Sequence, residues 1–210
     1  RGLGDVYKRQ VDTDMDYRAI LNSLGSGSSS RVEVSVTIQE GLTVRQIFEL
    51  LEKEGVSTVE KLNDMAANHD YAFSFLEDIP LGDPNRLEGY LFPDTYNFYM
   101  GEDPKYVINK MLVNFDSKVD DSMRQKIADK GYTIQELLTV ASMIEKETDG
   151  EDRGKIASVI YNRLAQDMPL QIDATVMYAL GEHKEYLTEE DLKVDSPYNT
   201  CLLYTSDAAD

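Results

Sequence analysis

The stretch TIQELLTVASMIEKET at 133–148 constrains the fold of this chain more than any other segment. Thr133 with Glu136 three residues on is a capping box, which predicts that a helix starts here. Its apolar residues do not keep to one face. Ile134, Leu137, Leu138, Ala141 and Ile144 form one stripe at helical spacing, while Val140 and Met143 cover much of the opposite side. A helix that is apolar nearly all round belongs inside a domain. This one nevertheless ends Glu-Lys-Glu-Thr. At about 100° per residue, Glu145 falls over Leu138 and Ala141, and Glu147 falls beside Val140, Met143 and Ile144.

Two readings of that ending stand side by side. In the plain one the helix surfaces in its last turn and the charges are solvated, as exposed Glu and Lys usually are. In the other, a carboxylic acid is held in apolar surroundings, where desolvation raises its pKa until it can donate a proton near neutrality. Raising a Glu from ~4.3 to ~6.5 costs about 3 kcal/mol, which a packed helix can bear. Spacing alone does not choose between Glu145 and Glu147 as that acid. It does put Glu145 at the centre of the apolar stripe. Glu145 is therefore expected to be the more buried of the two and to pair with Arg153 or Arg163, since an unpaired buried charge is too costly.

The two ends of the chain are set aside. Residues 5–10, DVYKRQ, can be written GAT GTG TAT AAG AGA CAG, and the reverse complement of that DNA, read one base out of frame, encodes CLLYTS, the sequence of 201–206. Protein termini have no physical reason to be reverse complements, so 1–10 and 201–210 read as artefactual tails of translated adapter, flanking a fragment of a longer protein. The sole cysteine, Cys201, lies in the second tail, and the remainder offers neither a disulfide nor a thiolate. His69 and His183 are the only histidines and read as surface residues, which leaves no metal site. Lack of cysteine fits many exported bacterial proteins.

The net charge of −18 survives removal of the tails, whose charges of +2 and −2 cancel. So acidic a chain is a poor partner for nucleic acid or anionic lipid and suits a neutral or weakly charged substrate, glycans included. A composition of 41% hydrophobic and 29% charged residues is that of a globular domain, and no run of ~18 apolar residues is present to span a membrane.

Along the chain, 15–24 carries a short helical pattern and GSGSSS at 25–30 is a flexible turn. Val32, Val34, Val36 and Ile38 then alternate with polar residues as a half-buried strand. Thr43 and Gln46 box the start of a helix that stops near Gly55, and Ser57 with Glu60 caps the next. LEGYLFPDTYNFY at 87–99 interleaves aromatics with Glu88, Asp94, Thr95 and Asn97. It reads either as a sugar-binding cleft, where rings stack on pyranose faces, or as a core strand pair turning at Pro93-Asp94. Asp103-Pro104 opens a helix to about Phe115, and another over about 120–130 ends at Gly131. Residues 153–166 are helical, and Asp173 is expected to cap a short helix ending at Gly181. Thr188 and Asp191 cap a further turn.

Five blocks now come in order: LEGYLFPDTY (87–96), ASMIEKET (141–148), IASVIYNRL (156–164), MPLQIDATVMYALG (168–181) and SPYNT (196–200). Together they resemble the endolytic murein transglycosylases, the YceG-like or MltG-type family. The resemblance implies an α+β fold: a small LysM-like strand-helix module at 11–55, then a mostly helical, lysozyme-like catalytic domain at 56–200, truncated at its C-terminal end. It implies a cell-membrane protein with a single-pass anchor N-terminal to these residues and an extracytoplasmic catalytic domain.

The chemistry implied is cleavage of the bond between N-acetylmuramic acid and N-acetylglucosamine in peptidoglycan without water, leaving 1,6-anhydro ends. The resemblance makes Glu147 the catalytic residue, acid and then base, while its place on the helical wheel makes Glu145 a structural carboxylate. It gives Glu88, Tyr90, Asp94, Thr148, Gln171, Asp173, Thr175, Tyr198 and Asn199 to substrate binding or support of the site. No metal or other cofactor is implied. The partners implied are peptidoglycan glycan strands and cell-wall synthesis proteins. The alternative class is a glycan-binding module without catalysis.

Overall fold

The computed structural model describes residues 32–148 and 150–202, so the expectations for 1–31 and for 203–210 fall outside the described residues. Strand β1 (Glu33–Thr37) alternates as its sequence predicts: Val36 and the following Ile38 point into the core, while Val32 remains exposed. Its partner is β2 (Thr95–Tyr99), antiparallel, with Glu33 opposite Tyr99 and Thr37 opposite Thr95. Tyr96 and Phe98 line the inner face of β2. The aromatic stretch 87–99 is therefore a core strand with the turn before it. Its rings fill the interior rather than an open cleft.

Helix α1 (Val44–Lys53) starts at the Thr43–Gln46 capping box and buries Val44, Ile47, Phe48 and Leu51. Helix α2 (Val59–Asn68) starts one residue later than expected. Its N-cap is Thr58, whose hydroxyl accepts from the Lys61 amide, while the Glu52 carboxylate takes the free Val59 amide. Ser57 and Glu60 form no box, because the cap lies one residue on, at Thr58. Two short 3₁₀ turns, Ser74–Leu76 and Pro84–Leu87, lead to β2. Helices α3 (Pro104–Lys118) and α4 (Asp121–Asp129) follow, each with an aspartate N-cap. Gly131, at φ +77°, ends the second of these as expected.

The last three helices are α5 (Ile134–Glu147), α6 (Arg153–Ala165) and α7 (Asp173–Leu180), closed by a 3₁₀ turn at Asp191–Lys193. The N-cap of α7 is Ile172; Asp173 is its first helical residue and makes no side-chain cap bond. The molecule is thus α+β, mostly helical with one two-stranded antiparallel sheet among the described residues. None of its helices there is long and apolar enough to cross a membrane.

Two hydrophobic cores form. The larger runs from Val36 to Phe115 and so crosses residue 55, where the first module was expected to close: β1 draws its partner strand from 95–99. The smaller holds Val140, Met143, Ile160, Leu170 and Ile172. Helix α5 lies in the seam. Ile134 and Leu138 pack on the first core, while Val140, Met143 and Ile144 pack on the second. This explains why its apolar residues ignore a single face. It also corrects the expectation of a helix buried all round, because a seam has two walls and leaves Ala141 and Ser142 exposed.

Candidate functional site

The end of α5 is clamped on two sides. Glu145, with its side chain 33% exposed, accepts from the Arg153 guanidinium at 3.1 Å, which ties it to the start of α6. Arg153 is one of the two partners the helical wheel allowed. The other, Arg163, instead donates to the Pro169 and Leu170 carbonyls and holds the loop before α7. The second clamp was not foreseen. Lys146 Nζ donates to the Gly41 carbonyl at 2.7 Å, reaching across to the turn after β1. Gly41 stands at φ +73°, and a Cβ there would meet Lys146 Nζ at 3.7 Å and Glu145 Cγ at 3.8 Å.

Glu147 is the last residue of α5 and is exposed. Among the described residues its carboxylate has no hydrogen bond or ion pair. It does not share the buried surroundings of the acid imagined from the sequence, since the last turn of α5 rises out of the seam. Thr148 is the extended C-cap, and its hydroxyl accepts from the Gly150 amide at 3.3 Å.

Glu88 is drawn to this same corner. Both of its oxygens accept from the Val44 amide at 3.2 Å, at the first turn of α1, where the helix dipole favours an anion. Burial nevertheless holds its pKa above the ordinary carboxylate value; the Val44 hydrogen bond, the Lys146 charge and the Tyr178 hydroxyl oppose that rise. Tyr178 of α7 turns its hydroxyl toward Glu88, and burial together with the Glu88 charge pushes that hydroxyl upward. The Tyr178 ring meets Tyr198 edge-on at 4.9 Å. The Tyr198 hydroxyl is also raised, by burial and by the charges of Asp83 and Glu88. So Tyr178 and Tyr198 stand together, and Glu88 feels the charge of Lys146, the residue preceding Glu147.

Other expected site residues fall elsewhere. Tyr90 is 3% exposed, between Phe75 and Phe115, so it supports the core and cannot touch a substrate. Burial pushes its hydroxyl up to about 12. Asp94 accepts from the Thr95 amide and from Asn114 of α3, which hold its pKa below the usual range; none of these contacts involves α5 or α7.

Gln171, at φ +55°, donates its amide to the Thr200 carbonyl at 3.0 Å. The Thr175 hydroxyl donates to the Ile172 carbonyl and meets the Thr200 hydroxyl at 2.8 Å. Asn199 is fully buried, donating to the Leu192 and Val194 carbonyls and accepting from the Cys201 amide. Gln171 and Thr175 thus join the 168–181 block to Thr200, while Asn199 ties the 196–200 block to the turn at 191–194. Asp173 stays exposed on the first turn of α7. Among the described residues, no cluster of His, Cys, Asp and Glu could hold a metal ion.

Sequence reasoning passed over Lys146 and Tyr178. Both stand inside the quoted blocks, but one lies between two glutamates and the other in an apolar run, where neither spacing nor charge marks it.

Comparison with known proteins gives this arrangement its relatives. The chain is 36% identical over 200 residues to the endolytic murein transglycosylase of Bacillus subtilis, covering 90% of this chain and 55% of that protein. It is 35% identical over 214 residues to the endolytic murein transglycosylase of Streptococcus pneumoniae serotype 2, covering 90% and 39%. The chain spans about half the length, or less, of these curated relatives. The crystal structure of a YceG-like protein from Listeria monocytogenes superposes with a TM-score of 0.69 at 34% identity, covering 83% of this chain and 64% of that one. The sequence pattern of the YceG-like family matches residues 8–204, reaching into both segments set aside as tails. This chain belongs to the YceG-like family.

Proposed function

We propose that the protein is an endolytic murein lytic transglycosylase and that Glu147 is its single acid and base. The observation that carries the reading is the placement of Glu147. It stands open to substrate on a helix turn whose two preceding residues are fixed to opposite halves of the molecule, Glu145 to Arg153 and Lys146 to Gly41. Fixing a reacting group in this way is what makes positioning contribute to rate. Family membership and the names of the relatives support the substrate, the glycan strands of peptidoglycan.

The protonated Glu147 carboxyl gives its proton to the glycosidic oxygen as the bond from C1 of N-acetylmuramic acid breaks. The C6 hydroxyl of the same sugar attacks C1, and its proton passes to the Glu147 carboxylate, which regenerates the acid. No water is consumed and the new end is a 1,6-anhydro sugar. A hydrolase instead needs two carboxylates, one on each side of the bond.

Glu147→Gln keeps the side chain's size and removes the titratable proton. Cleavage of purified peptidoglycan is expected to fall by ~10²–10⁴, with folding and glycan binding intact. Mass analysis of the parent's products should find ends lighter by one water than reducing ends. Full activity of Glu147→Gln overturns the residue's role, and ordinary reducing ends overturn the transglycosylase chemistry. Exposure of Glu147 also favours a second reading, a glycan-binding module without catalysis, in which the parent binds strands and leaves them intact.

The finer parts of the proposal are a LysM-like first module, a lysozyme-like catalytic domain, cell-wall synthesis proteins as partners, and a single-pass anchor at the cell membrane with the catalytic part outside. Fractionation of cells expressing the tagged protein tests the last, and recovery with the cytosol counts against it.

A further inference from the structure

Tyr178 and Tyr198 are large side chains left partly exposed at the surface. The Tyr178 hydroxyl faces the half-buried Glu88, which the α1 N-terminus holds, and the residue is 37% exposed. Tyr198, 41% exposed, stands edge-on against it at 4.9 Å and fixes its plane. Tyr198 is itself held by its neighbour Asn199, whose side chain is hydrogen-bonded on three sides. Two half-open rings anchored in this way are not core packing. Core rings in this molecule, such as Phe98 and Tyr90, are almost wholly enclosed.

We infer that Tyr178, braced by Tyr198 and anchored on Glu88, is a stacking platform for a hexosamine ring of the glycan strand. This rests on the reading of Glu147 as the reacting group, and α7, which carries Tyr178, packs against α5, which ends at Glu147. The C–H faces of a pyranose are apolar and weakly positive, and they match the negative face of an aromatic ring. A neutral stacking surface also suits a chain of net charge −18, since it draws on no cationic groups. The platform binds and orients; it moves no proton.

The test separates binding from turnover. In the Glu147→Gln protein, titration calorimetry with peptide-free strands of alternating N-acetylglucosamine and N-acetylmuramic acid reads binding without cleavage. Tyr178→Ala should weaken binding by about tenfold or more, the scale of truncating an aromatic anchor. Tyr178→Phe, which keeps the ring, should retain most of it. Tyr178→Leu, which keeps bulk against Tyr198 but has no π face, should behave as the alanine variant, and so serves if the alanine variant does not fold. In the protein with Glu147 intact, Tyr178→Ala should raise KM far more than it lowers kcat.

Unchanged binding in Tyr178→Ala or Tyr178→Leu overturns the proposal, and so does a Phe variant as weak as the alanine one. A parent that binds strands through Tyr178 but never cleaves them leaves the platform standing and removes the transglycosylase reading. A parent that cleaves normally with Tyr178→Ala removes only the platform.

Discussion

Glu88 shows how one side chain can be both held and strained. Two oxygens on the Val44 amide and a nearby ammonium favour its charge, yet burial outweighs them and raises its pKa. A carboxyl raised in the folded state adds stability below its ordinary value of 4.5 and loses it as pH rises through the higher folded value. Urea unfolding from below 4.5 to neutrality should therefore show the parent losing more stability than Glu88→Gln, which keeps an acceptor for Val44. A parent slope no steeper than the variant's would count against the burial argument. Glu145 and Arg153 could be paired from the sequence because both lie near a helix end whose geometry fixes their direction. Nothing local in the sequence links Glu88 to Val44, which lies 44 residues away.

Among the elements, the helix starts were the most legible, because a cap is a bond between residues three apart. Thr43–Gln46 and Thr133–Glu136 both form reciprocal boxes, and Thr188 with Asp191 closes its turn the same way. Ser57 gave way to its neighbour Thr58, and the Val59 amide beside it is taken by Glu52, seven residues back, beyond the reach of any local rule. The return of 196–200 onto α7 is of that second kind. Asn199 there sits in full burial, with its amide group satisfying two carbonyls at 2.9 and 2.8 Å. Asn199→Ala leaves both carbonyls unpaired and should cost about 2–3 kcal/mol, readable as a lower urea midpoint. A loss well under about 1 kcal/mol would show that water replaces the side chain there.

At the scale of the whole molecule, the α+β class and the order of elements were readable, but the division into packing units was not. Hydrophobic period tells which face of a strand is inward and says nothing of which strand it will join. Hence β1, expected in a module ending near residue 55, pairs with 95–99. The two cores differ in depth: Phe48, Leu51, Val107, Ile108 and Met111 are fully enclosed in the first, while every member of the second keeps some exposure. Hydrogen exchange read by mass spectrometry should therefore find α1 and α3 better protected than α6 and α7. Equal protection across the four helices would show a single cooperative unit instead. The pairing of β1 with β2 also bears on synthesis. Thr37 and Thr95 are 58 residues apart, so at ~5–20 residues per second the first strand waits roughly 3–12 s on the ribosome before its partner exists. During that interval Val36 and Ile38 are an unpaired apolar edge, and among the described residues α1 and α2, made in the meantime, are the helices able to shelter it.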